Sequence, residues 1–182
     1  MPFTFEKSPL EGVIVVIPKQ FGDERGFFME TYQRDEFVEA GIDIEFVQDN
    51  HSLSSKGVLR GVHYQRAPHA QAKLVRVTHG SVWDVAVDMR EGSKSFGEWF
   101  GVELSAENHK MLYVPKGFGH GFLTLEDNTH FLYKCSDNYS PECEGGVIWS
   151  DETLNIEWPI DGIKPIISAK DVDLPRLGEA RL

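Results

Sequence analysis

The sequence predicts an all-β protein, a double-sheet jelly roll or small barrel with a few short helices. Three observations carry that reading. Short segments of strand character recur at regular spacing, turn residues punctuate them, and helical periodicity is scarce.

Strand character covers residues 12–18, 45–51, 58–65, 73–79, 81–89, 99–104, 111–114, 120–125 and 130–139. The clearest alternation sets Trp83, Val85, Val87 and Met89 against Asp84, Ala86 and Asp88, as in a sheet with one face turned inward. His79-Gly80, Glu91-Gly92-Ser93, Pro115-Lys116-Gly117 and Glu126-Asp127-Asn128 supply the turns. Residues 34–40 read as a short helix ended by Gly41, and residues 105–110 as a single turn opened by its serine. From about residue 151, Pro159, Pro165 and Pro175 interrupt any regular pattern. That stretch is expected to wrap the barrel in extended form, so that residues 1–182 make one domain.

A hydrophobic fraction of 41% and four tryptophans in 182 residues are enough for one sizeable core. The net charge of −11 argues against broad contact with nucleic acid or an anionic membrane, which require dispersed Lys and Arg. It remains compatible with one anionic ligand held by a few local cations. The opening MPFTFEKSPLEG lacks a basic region followed by an apolar run, and the longest apolar stretch, residues 13–17, is too short to span a bilayer. Cys135 and Cys143 form no CxxC pair and read as free thiols, which points to the cytoplasm.

Reactive side chains concentrate in QDNHSLSSKGVLRGVHYQ, residues 48–65. Gln48, Asp49, Asn50, His51, Arg60, His63 and Gln65 stand there among Leu53, Val58, Leu59 and Val62. Two imidazoles, a guanidinium and several amides suit a charged, hydroxyl-rich ligand and the movement of a proton. A neutral His63 is a candidate base, and a neighbouring carboxylate would set its tautomer. Strict alternation puts Arg60 and His63 on opposite faces, whereas a bulge at Gly57 or Gly61 would bring them together.

Other candidates lie further along the chain. The stretch PKGFGHG sets His120 in a glycine-rich turn. Tyr133 shares a face with Phe131 and Cys135, and is either a core aromatic or, lining a pocket, a general acid. Lys73 shares a face with Val75 and Val77, so it lies at the sheet rim or enters a pocket, where it would hold an oxyanion. In FGDERGFFMETY, Arg25 could grip a phosphate beside the ring of Phe21, or simply pair with Asp23 or Glu24. By composition alone, Lys170 and Asp171 are ordinary surface charges. A metal site would want a His-x-His pair on one strand face. The residues two away from His63 are Gly61 and Gln65, His120 finds no complete ligand set, and no metal is expected.

Taken together, these motifs resemble the dTDP-4-dehydrorhamnose 3,5-epimerase family, cupin-type jelly-roll enzymes of deoxysugar biosynthesis. The resemblance runs from about residue 3 to residue 175. It rests on FGDERGFFMETY, QDNHSLSSKGVLRGVHYQ, QAKLVRVTHGSVWDVAVDMR, VPKGFGHGF, YKCSDNYSPECE and ISAKD in that order. The resemblance implies His63 as base, paired with Asp171, Tyr133 as acid, and Lys73 close to the substrate carbonyl. It implies ligand contacts from Arg25, Glu30, Gln48, Asp49, Asn50, Arg60, His120, Glu144 and Lys170, with Phe21 and Tyr139 framing the nucleotide. It also implies no metal or organic cofactor, and a homodimer in which the Arg25 segment reaches the neighbour's site. The implied substrate is dTDP-4-dehydro-6-deoxy-D-glucose, whose carbons 3 and 5 flank a 4-keto group and are acidified by it. Two local departures stand out: Asn138 replaces a common aromatic beside Tyr139, and Gly145 follows Glu144 where a bulkier residue is often found. The rival readings are an epimerase that inverts only one carbon, a metal-dependent cupin, and a non-catalytic sugar-nucleotide binding module.

Overall fold

The computed structural model describes residues 2–180. The strands are β1 (Phe3–Lys7), β2 (Ile14–Pro18), β3 (Phe21–Asp23), β4 (Gly26–Phe28), β5 (Gln48–Ser54), β6 (Leu59–Gln65), β7 (Lys73–His79), β8 (Ser81–Asp88), β9 (Trp99–Ser105), β10 (Met111–Val114), β11 (Phe118–Thr124), β12 (Thr129–Cys135) and β13 (Glu144–Gly146). Two short helices, α1 (Arg34–Glu39) and α2 (Ala169–Val172), join them. A six-stranded sheet in the order β1-β2-β10-β7-β12-β5 faces a five-stranded sheet in the order β13-β6-β11-β8-β9. The strands β3 and β4 form a separate hairpin. This is the mostly β, two-sheet architecture expected of the sequence.

Local chemistry explains the ends of the elements. Gln33 caps α1 by accepting from the Glu36 N–H at 2.7 Å, and Gly41, at φ +89°, follows its last turn. Residues 105–108 form a capped turn: Ser105 Oγ accepts from Asn108 N, and Asn108 Oδ1 accepts from Ser105 N, both at 3.1 Å. Strand β12 stops at Cys135, short of the expected residue 139, because side-chain amides take over the backbone groups beyond it. The short strands β1, β3, β4 and β13 carry too few alternating residues to stand out in the sequence.

Three apolar clusters hold the layers together. Val75, Val77, Leu112 and Phe131 from one sheet meet Val82, Ala86, Leu104 and Phe122 from the other, forming the core between the two sheets. Phe37 and Ile42 pack with Phe3, Val16 and Leu74 on the six-stranded sheet. Leu154, Trp158 and Leu177 pack with Leu59, Val62, Val85 and Val87 on the five-stranded sheet.

That last cluster corrects the reading of β8. Its apolar residues Val85 and Val87 face the C-terminal segment, while Ala86 faces the space between the sheets. Both faces are covered, so the alternation did not reveal which side was interior. Asp84 is consequently an interior carboxylate, 0% exposed.

Candidate active site

A cavity of about 380 Å³ lies between the sheets beside the core they share, and Phe122 and Phe131 of that core form part of its wall. Its walls come from both layers: Asn50, Lys73 and Tyr133 from the six-stranded sheet, Arg60, His63 and His120 from the five-stranded one.

Arg60 and His63 share this cavity because β6 is bulged. His120 stands opposite His63 and Phe122 opposite Arg60, so three steps on β6 match two on β11. Gly61 makes the irregularity feasible. Its φ is +115°, and a Cβ there would lie 2.5 Å from the Gly121 Cα. Leu59 and Val62 meanwhile share the opposite, apolar face.

His63 Nε2 lies 2.8 Å from Asp171 Oδ1. Asp171 is only 3% exposed, which corrects its reading as a surface charge. Ser168 caps α2 by accepting from the Asp171 N–H, and the Gly61 N–H donates to Asp171 Oδ2 at 3.2 Å. Burial pushes the Asp171 carboxyl up, but His63, the Gly61 N–H and a hydrogen bond from the Ser168 hydroxyl to the carboxylate outweigh it and leave the group below the usual carboxylate range. An ionised Asp171 takes the proton-bearing Nε2, which leaves the Nδ1 lone pair of His63 as the basic one.

Lys73 and Tyr133 stand on adjacent strands of the facing sheet. Burial lowers the Lys73 ammonium, and Cys135, Asp84 and Glu144 offset this only in part. Burial raises the Tyr133 phenol, reinforced by Cys135 and opposed by Arg60. Both shifts favour the neutral forms in a partly desolvated space.

His120 has its own carboxylate. Its Nε2 lies 3.0 Å from each oxygen of Asp84. The sequence reading missed Asp84, and the only available signal was a carboxylate in a strand with no exposed face. Among the described residues, no group of three or more His, Cys, Asp or Glu side chains is placed to hold a metal ion.

A second cavity of about 320 Å³ adjoins the first through Asn50, His63, Lys73 and Tyr133 and continues to Gln48, Gln65, Tyr139 and Glu144. The Tyr139 hydroxyl donates to Glu144 at 2.8 Å, and the Lys170 ammonium donates to both Glu144 oxygens at 2.6 Å. Gly145 packs beneath the Tyr64 ring, where a Cβ would come within 2.6 Å of a ring carbon.

Four expected ligand residues lie elsewhere in the chain. Phe21 and Arg25 line a separate surface depression on the β3–β4 hairpin, where Arg25 bonds Asp23. Glu30 is exposed just beyond that hairpin. Strand alternation turns Asp49 away from Gln48 and Asn50, and it pairs with Lys134 at 2.9 Å.

The model of the dTDP-4-dehydrorhamnose 3,5-epimerase family matches residues 7–179. The chain belongs to this family. A dTDP-4-dehydrorhamnose 3,5-epimerase from Salmonella typhimurium is 52% identical, over 97% of this chain and 96% of its own length. The crystal structure of the Elizabethkingia anophelis dTDP-4-dehydrorhamnose 3,5-epimerase superposes with a TM-score of 0.94 at 47% identity, covering 98% of each chain. A dTDP-6-deoxy-D-glucose-3,5-epimerase from Legionella pneumophila, solved in complex with dTDP-4-keto-L-rhamnose, has a TM-score of 0.94 at 46% identity and covers 97% of this chain and 94% of its own. The 3,5-epimerase family thus accounts for nearly the whole described chain. Among the described residues, no helix is long and apolar enough to cross a membrane.

Proposed function

We propose that this enzyme inverts carbons 3 and 5 of dTDP-4-dehydro-6-deoxy-D-glucose, giving dTDP-4-dehydro-L-rhamnose in dTDP-rhamnose biosynthesis. One observation carries the mechanism: His63 projects from the five-stranded sheet and Tyr133 from the six-stranded sheet into one cavity. A sugar ring held between the sheets meets a base on one face and an acid on the other, which is the requirement for inversion.

His63 Nδ1 takes the proton alpha to the 4-keto group, and its Nε2–H remains bonded to Asp171. The carbon–hydrogen electron pair moves into the ring, and charge develops on the carbonyl oxygen. Lys73 stabilises that enolate oxygen by hydrogen bond and charge. Tyr133 returns a proton to the opposite face of the carbon. His63 then gives its proton to solvent and the Tyr133 phenolate takes one back, and repetition at the second alpha carbon completes the change.

The adjoining cavity takes the nucleotide, with Tyr139 as a ring for the base and Gln48, Asn50, Glu144 and Lys170 as polar contacts. Arg60 and His120 orient the sugar. Two chains form a homodimer in which Phe21, Arg25 and Glu30 of one reach the other's site. Within a single chain these residues lie apart from the His63 cavity, with Phe21, Phe27 and Phe28 at least half exposed. Residues 151–180 belong to the same catalytic unit, because they carry Asp171 and help close the five-stranded sheet. The free thiols of Cys135 and Cys143 suit the reducing cytoplasm.

Incubation with the dTDP-4-keto-6-deoxyglucose substrate in deuterated water tests the reaction. Deuterium at carbons 3 and 5 with inversion, followed by NMR, is the expected result. Label at one carbon only would identify a mono-epimerase, and no label would overturn epimerisation of this substrate.

A further inference from the structure

Gln65 is a buried amide in the reactive stretch, 7% exposed, with no part in the proton chemistry. Its Nε2 donates to the carbonyls of His69 at 2.7 Å and Asn138 at 3.1 Å. Its Oε1 accepts from the Ser140 N–H at 2.7 Å. One side chain therefore grips the backbone on both sides of Tyr139. Gln48 Oε1 accepts from the Tyr139 N–H itself at 2.9 Å, and Gln71 donates to the Asp137 carbonyl at 2.7 Å.

The Tyr139 residue is 53% exposed, so core packing does not fix the position of its ring. Its hydroxyl donates to Glu144 and is also engaged by Lys170, both of them at the rim of the cavity. Its backbone is set by these amides instead. The hydrogen-bond pattern also fixes the kind of residue required at position 65. Two carbonyls need donors and one N–H needs an acceptor, and only a carboxamide of this length supplies both.

We infer that Gln65 is a positioning residue for the nucleotide subsite, holding the 138–140 backbone so that the Tyr139 ring forms a preorganised face for the base. This rests on the reading of Tyr139 as the nucleotide platform. It separates two functions within one strand: His63 serves the chemistry, and Gln65, two residues on, serves binding. Glutamate at this position would turn acceptors toward two carbonyls, and methionine would remove all three bonds.

A double-mutant cycle tests the inference, with dTDP as the inhibitory probe and the dTDP-4-keto sugar as substrate. Tyr139→Ala is read first. A raised KM supports the platform reading, and an unchanged KM overturns that reading together with this inference. Gln65→Met is expected to raise KM and the dTDP inhibition constant roughly tenfold, the scale of one lost base stack, and to change kcat less than about threefold. In the Tyr139→Ala background the same change should add less than about twofold. Gln65→Glu keeps the volume and serves where methionine impairs folding. An unchanged KM, an equal fall in kcat, or the same effect with and without Tyr139 would overturn the role assigned to Gln65.

Discussion

His63 Nε2 and Asp171 Oδ1 are 2.8 Å apart although 108 residues of chain separate them. The contact joins the bulged strand β6 to the capped turn of α2, and the Gly61 N–H bonds the same carboxylate. Asp171→Asn keeps the size and removes the charge, so Nε2 no longer needs to carry the proton. We expect kcat to fall by roughly 10²–10⁴-fold, measured at saturating substrate.

The same carboxylate gives a stability prediction. Its folded pKa lies below its unfolded value, so its contribution is present above the ordinary carboxylate range and is lost as pH falls through the depressed pKa. The melting-temperature advantage of the wild type over Asp171→Asn should therefore be constant near neutrality and shrink below about pH 4. An advantage that grew on acidification would contradict the shift.

The alkaline side of the rate profile should belong to Lys73 rather than Tyr133. Burial lowers the lysine and raises the tyrosine, which moves loss of the ammonium proton toward neutral pH and loss of the phenol proton away from it. The activity of the wild type should fall on this side as the enolate-stabilising charge disappears. In Lys73→Arg, which keeps its charge, the limb should move to higher pH at a lower plateau. A limb that shifts instead with Tyr133→Phe would reassign it.

Gly61→Ala should cost about 1–3 kcal/mol of stability, read from denaturant unfolding, because the methyl group meets the β11 backbone. Its effect on kcat should be larger than that of an equally destabilising core change such as Val62→Ala. The bulge is what sets Arg60 and His63 on one face, and Val62 only packs beneath it.

Mixing two inactive variants tests the dimer. Arg25→Ala and His63→Asn place their defects in different halves of the proposed shared site. After dissociation and reassociation at equal ratio, random pairing should restore about a quarter of wild-type activity. Recovery of none would mean that Arg25 serves its own chain.

Much of this was legible in the residues. Strand alternation and turn residues are local properties, so the sandwich could be read without long-range information. Lys73, read as lying at the sheet rim or entering a pocket, and Tyr133, read as a core aromatic or lining a pocket, stand with Asn50 in one cavity, because β7, β12 and β5 pair in register. The reading went astray where burial depends on distant chain. Asp171 looked like a surface charge until α2 docked on β6, and Asp84 looked like the polar side of a half-buried strand. Gln65 read as one more polar residue until the 138–140 backbone folded over it.

The sequence by itself determined the family, the all-β class and the inventory of groups able to move a proton beside a keto sugar. Those follow from residue identity and local spacing. The tertiary structure decided which groups meet. It placed Arg60 with His63 through the Gly61 bulge, His63 with Asp171 across the chain, and Asp84 beneath His120. Register, bulges and docking are set by non-local packing and by backbone groups seeking partners, and no local pattern of residues encodes them.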